Sequence, residues 1–161
     1  MSFLIRTTLL ILLICLYGCI TLKGKEKPQE PILKLLVAIS YGGCSSKCPQ
    51  YDAEFYSGQK LNYKGHSRMP LIGHYSYLIP KQLTTNLLAD ATKLKIAELN
   101  DSIPSETGEQ RIKIRFQLPD GKLKTVSAGN KSGPASFLEF AKKIHAEVSE
   151  MVANQEGVKM P

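Results

Sequence analysis

The chain has 161 residues, 43% of them hydrophobic, which supplies one packed core with a segment to spare and excludes disorder throughout. Its 21 Lys and Arg against 14 Asp and Glu give a formal charge of +7, so its electrostatic partners are anions. It has four cysteines and no tryptophan, and no internal repeat or second domain is visible in it.

Met1 and Arg6 form a short positive start, and residues 7–16 are an almost unbroken apolar run that ends in Leu16-Tyr17-Gly18-Cys19. The run is short for a bilayer span and Arg6 interrupts its start. The ending resembles the lipobox of bacterial lipoproteins, in which a small residue before cysteine permits cleavage and the thiol is joined to a diacylglycerol. The expectation is a signal peptide over residues 1–18, a lipidated Cys19, and loss of Cys15 with the signal. Ile20, rather than Asp, favours the outer membrane by analogy with enterobacterial sorting. The expected location is therefore the bacterial cell envelope, lipid-anchored and facing the periplasm, which sets nucleic acid aside as a partner. Residues 19–31 are polar with Gly and Pro and no apolar period, a tether reaching ~20 Å.

A single domain is predicted over residues 32–154. Residues 32–41 are nearly all apolar between Pro31 and Gly42, which predicts a buried central strand. Cys44 and Cys48, with three residues between them, meet only across a tight loop, for which Gly42-Gly43 supplies the freedom. In an exported protein a disulfide is the first expectation. Closing so small a loop stabilises by ~2 kcal/mol or less. Thiol redox or metal chemistry at Cys44 and Cys48 is the alternative.

Alternation follows. Tyr51, Ala53 and Phe55 point one way and Asp52, Glu54 and Tyr56 the other, and Leu61 and Tyr63 repeat the inward set after Ser57-Gly58-Gln59. This predicts a hairpin with one wet face, where Lys60 and Lys64 are the expected cross-strand partners of Asp52 and Glu54. That pairing replaces acid–base work for the two carboxylates. His66 and His74 flank the loop around Met69-Pro70 and, near Cys44 and Cys48, would complete a soft metal site. Nothing in the sequence fixes that distance, so they are read as loop histidines, and neither metal nor cofactor is expected.

Residues 73–79 read as another strand and Pro80 as the first residue of a helix whose stripe is Leu83, Leu87, Leu88, Ala91 and Leu94. Residues 100–108 are an irregular loop. A second hairpin alternates Ile112, Ile114, Phe116 and Leu118 against Arg111, Lys113 and Arg115, turns at Pro119-Asp120-Gly121, and returns over residues 122–128. Leu123 and Val126 break strict alternation, which predicts a bulge there. Arg111, Lys113, Arg115, Lys122 and Lys124 give this hairpin a basic outer surface, a candidate site for anionic lipid or an acidic envelope polymer. The last helix begins at Pro134 with the stripe Phe137, Phe140, Ala141, Ile144, Val148 and Met151; His145 lies off it and is expected exposed. Gly129 and Gly133 around Lys131-Ser132 lack the order and spacing of a phosphate loop. Residues 155–161 are read as a C-terminal tail.

The sum is an α+β fold, a mainly antiparallel sheet of about five or six strands with two helices packed on one face. Cys44-x-x-x-Cys48-Pro49-x-Tyr51, the strand reaching Gly58, Tyr63-Lys64-Gly65, Gly73-His74-Tyr75 and a helix opening near Pro80 resemble the bacterial family of domain of unknown function 6438. The resemblance runs from about residue 32 to 148. It implies a lipoprotein and brings no catalytic role. Cys44-x-x-x-Cys48-Pro49 also resembles the copper-binding motif of membrane-tethered Sco-type chaperones, but there a helix follows the motif, whereas here the period is two. The function expected is an envelope-associated binding or structural module, with no catalytic constellation and no protein partner identified.

Overall fold

Strand β1 (Leu35–Gly42) is the one on which both halves of the sheet are built. The structure, a computed structural model, describes residues 33–44, 48–154 and 157–160. The signal segment 1–18, Cys19 and the tether 19–31 therefore lie outside the described residues. From β1 the chain meanders through β2 (Gln50–Tyr56), β3 (Lys60–Ser67) and β4 (Gly73–Leu78), each antiparallel to the one before. Helix α1 (Lys81–Lys93) and a 3-10 turn (Ile96–Glu98) then carry it back over the sheet. Strand β5 (Arg111–Gln117) pairs with the free side of β1, β6 (Leu123–Gly129) adds outside it, and helix α2 (Ala135–Asn154) follows. The two-residue strand β7 (Val158–Lys159) closes on β4, giving the order β6-β5-β1-β2-β3-β4-β7.

The fold is α+β, as expected, with a sheet of seven strands where five or six were expected. The extra one lies in the segment read as a tail: Tyr75 pairs with Lys159, and the Met160 amide donates to the His74 carbonyl at 2.9 Å. Two exposed residues of no apolar period announce nothing; only the edge offered by β4 makes them a strand. Residues 101–103, read as loop, likewise pair with the outer edge of β6, where Ser102 bridges Ser127 and the Ile103 amide donates to the Ser127 carbonyl at 2.8 Å. Short additions of this kind cover backbone that an edge would leave unpaired.

The inner face of the sheet follows the period of two. Val37, Ile39, Tyr51, Phe55, Leu61, Ile114 and Val126 are fully buried beneath Leu87 of α1 and Phe137, Ile144 and Val148 of α2. On α1 the expected Leu88 stays 40% exposed and Thr84 takes a core position, its hydroxyl satisfied by the Lys81 carbonyl at 2.9 Å. Pro80 is the N-cap, one residue before the helix proper. The bulge expected in the second hairpin is absent: β5 and β6 pair without a shift from Arg111↔Gly129 to Gln117↔Leu123. Leu123 simply faces solvent at 54% exposure, and the irregularities fall instead at Leu35/Val37 and Gln50/Tyr51.

Gly65 is the position at which the Tyr63 hydroxyl bond leaves no room for a side chain. Tyr63 donates its hydroxyl to the Leu71 carbonyl at 3.0 Å, and a Cβ on residue 65 would lie 2.0 Å from that same oxygen. A side chain there and the tyrosine bond exclude one another.

Candidate functional site

Both helices pack on one face, so the other face of the sheet is open. Alternation places Ala38 and Ser40 of β1, Asp52 and Glu54 of β2, Asn62 and Lys64 of β3, and Lys113 and Arg115 of β5 on it. The register aligns them in two rows across the strands. One row runs Thr125, Arg115, Ala38, Glu54, Asn62 and Ser76; the next runs Ser127, Lys113, Ser40, Asp52, Lys64 and His74. Ala38 and Ser40 are the short side chains in the middle strand, and longer ones rise on both sides. The result is a polar depression of about 570 Å³, closed at one end by His74 and Met160.

Its charges are tied together, but not as the sequence suggested. Lys64 lies directly opposite Asp52, yet the close partner of that carboxylate is His66, with Nε2 2.7 Å from Oδ2. Glu54 reaches across β1 to the Arg115 guanidinium at 2.8 Å and accepts the Tyr56 hydroxyl at 2.7 Å, while Lys60 stands opposite Tyr56. A carboxylate on the second strand of a sheet has neighbours on both sides, and a guanidinium gives a better-directed bond than an ammonium. Burial raises the pKa of Asp52, but hydrogen bonds from Ser40 and His66 and the charges of His66 and Lys64 outweigh it, leaving the carboxyl below its usual range. Burial, then Glu54, pushes the Tyr56 phenol up. Asn62 Oδ1 and Arg115 Nε are buried without a hydrogen bond among the described residues.

The five basic residues expected to share one surface do not. Arg111, Lys113 and Arg115 stand on the open face; Lys124 is opposite Phe116, on the helix side, and pairs with Asp101; Lys122 sits at the turn, 3.2 Å from Asp120. Arg111 is held by hydroxyls, Ser105 Oγ at 2.7 Å, Ser127 Oγ at 3.1 Å and Ser102 Oγ at 3.4 Å.

Cys44 and Cys48 come to disulfide distance, with Cα atoms 6.3 Å apart, at the end of β1 and the entry to β2. Gly43 turns with φ +71°, and buried Gln110 donates Nε2 to the Pro49 carbonyl at 2.6 Å, fastening the loop to the sheet. His66 is engaged with Asp52, and among the described residues no group of three or more His, Cys, Asp or Glu is placed to hold a metal. No helix among the described residues is long and apolar enough to cross a membrane.

His145, expected exposed, is instead packed between sheet and helix. Its ring centroid is 5.1 Å from that of Tyr41 and 5.6 Å from that of Tyr51, and burial lowers its pKa. Tyr41 donates to the Ala141 carbonyl at 3.0 Å, and burial drives both tyrosine phenols far above their ordinary value.

Ser40 was missed as a site residue, and His66 and His74, read as loop histidines, are residues of β3 and β4. The signal for Ser40 was present: Ala38 and Ser40 are the small residues at period two in an otherwise bulky apolar strand, which marks a wet face.

The family model described as Domain of unknown function (DUF6438) matches residues 35–148. No curated protein matches the chain.

Proposed function

The chain belongs to the family of domain of unknown function 6438, and from the open face of its sheet we propose that it is a binding module held at the bacterial cell envelope by a lipid on Cys19. One observation carries the binding half: the depression of about 570 Å³ is lined by charges of both signs and has two short residues for a floor. Its volume is that of a small-molecule site, which commonly spans ~300–1,000 Å³. The anchoring half rests on the apolar run ending in Leu16-Tyr17-Gly18-Cys19.

Hydrolytic chemistry fits the face poorly. Ser40 and His66 both direct their hydrogen bonds to the Asp52 carboxylate, whereas an activated serine needs the imidazole itself as its base. The Cys44–Cys48 pair serves as a clasp on the loop that Gln110 fastens, in keeping with an oxidising compartment.

The test is a thermal-shift screen of the full chain in neutral detergent with anionic, neutral and cationic small molecules. It is repeated on Ser40→Trp, which fills the floor. At least one compound should raise the melting temperature of the wild type and leave the variant unmoved. Compounds that act equally on both, or no response in any class, would remove the binding reading.

A further inference from the structure

Resting on that reading, we propose that the depression takes a small organic anion, a carboxylate or phosphate ester, whose acidic group is held by Lys113 with Lys64 facing it from the other side. The argument is one of unbalanced charge. Strand β5 sets Arg111, Lys113 and Arg115 at alternate positions on the same face. Arg115 is neutralised by Glu54, and Arg111 is solvated by three serine hydroxyls that carry no charge. Lys113 makes no ion pair among the described residues, and like charges spaced along one strand face disfavour one another until an anion joins them.

The carboxylates of the floor do not supply that anion. Glu54 is engaged by Arg115 and Tyr56. Asp52 is engaged by Ser40 and His66, whose hydrogen bonds satisfy the carboxylate as an acceptor. They act as struts that hold Arg115 and His66 in place; Lys64 adds its charge beside Asp52, but the close ion pairs of the two carboxylates are with His66 and Arg115, not with Lys64 or Lys113.

The register gives the dimensions. Lys113 is directly opposite Ser40, Ser40 opposite Asp52, and Asp52 opposite Lys64. The two lysines are thus three strand spacings apart, roughly 14 Å at ~4.8 Å per strand, with Ser40 and the His66-bound Asp52 between them. Flexible ammonium stems from both sides reach an acidic group seated over the floor. The same row ends at His74, beside which Met160 lines the depression.

The experiment is amide NMR of the full chain in neutral detergent, titrated separately with succinate, citrate and glucose 6-phosphate, with glucose and putrescine as neutral and cationic probes. Shifts should centre on the Ala38 and Ser40 amides for the three anions only. Lys113→Met, an exposed substitution, should weaken them by about tenfold or more, as loss of a charge-assisted contact does. Lys64→Met should weaken them independently. Anion shifts unchanged in both variants would overturn the proposal. Shifts at Ala38 and Ser40 with glucose or putrescine, but not with anions, would overturn it and leave the binding reading in place. No shift there with any probe would take down both.

Discussion

The Tyr51 hydroxyl lies 3.1 Å from Nδ1 of His145, tying the strand that leaves the cysteine loop to the last helix across 94 residues of chain. Burial keeps Tyr51 protonated and favours a neutral imidazole, so the phenol donates and the ring accepts.

This pair makes stability depend on pH. The folded-state pKa of His145 is lowered from the ordinary 6.5, so between the two values the unfolded chain binds more protons than the folded one. The contribution of His145 is complete above about pH 6.5 and falls as the pH drops below it. Thermal unfolding measured from pH 7.5 to 5 should show that decline in the wild type and a shallower one in His145→Gln. Equal slopes would refute the assignment. Tyr51→Phe should cost about 1 kcal/mol at neutral pH by removing the hydrogen bond.

Gly65→Ala should destabilise the domain by ~1–3 kcal/mol, because the new methyl group displaces either the Leu71 carbonyl or the Tyr63 hydroxyl. Gly42→Ala is the matched control: nothing lies within 4 Å of its Cβ position. Denaturant midpoints of the two variants should separate clearly, and coincident midpoints would show that Gly65 is not held by that contact.

Cys44 and Cys48 should be bonded to one another. Mass spectrometry after alkylation reads this directly, with no label on either thiol until reductant is added. The double Cys→Ser variant should still fold and lose ~2 kcal/mol or less, since a loop this short restricts the unfolded chain little. Full labelling without reductant would return the thiols to redox or metal chemistry.

Cys19 should carry acyl chains. Cells fed a clickable fatty acid should label the wild type and not Cys19→Ala, and the wild type should sediment with membranes. Equal labelling of both would withdraw the anchor. One acyl chain binds a bilayer only marginally, so firm retention would itself imply more than one.

Periodicity made the fold legible where burial is one-sided. Ile112, Ile114 and Phe116, or Phe137, Phe140 and Ile144, name their own face because each element has a single neighbouring core. The partners of charged groups were not legible: Lys64 or His66 for Asp52 is a choice between the opposite and the diagonal residue of β3, and Lys60 or Arg115 for Glu54 depends on which strand lies on the far side of β1. That strand is β5, some 70 residues downstream of β1, and no local pattern announces where it inserts. His145 was misread for a related reason: helical spacing places it beside the stripe, and only the two tyrosine rings beneath it turn that position inward.

The central position of β1 also dictates the order in which the domain can be completed. A chain emerging N-terminus first presents β1 to β4 as a meander, but the other side of β1 waits until β5 has arrived. Until then the most apolar strand of the protein has an unpaired row of amides and carbonyls, and its inner face lacks α2. Such an edge pairs readily with another copy, and pairings distant in sequence form slowly. Truncation before residue 111 should therefore yield an aggregating fragment rather than a smaller domain.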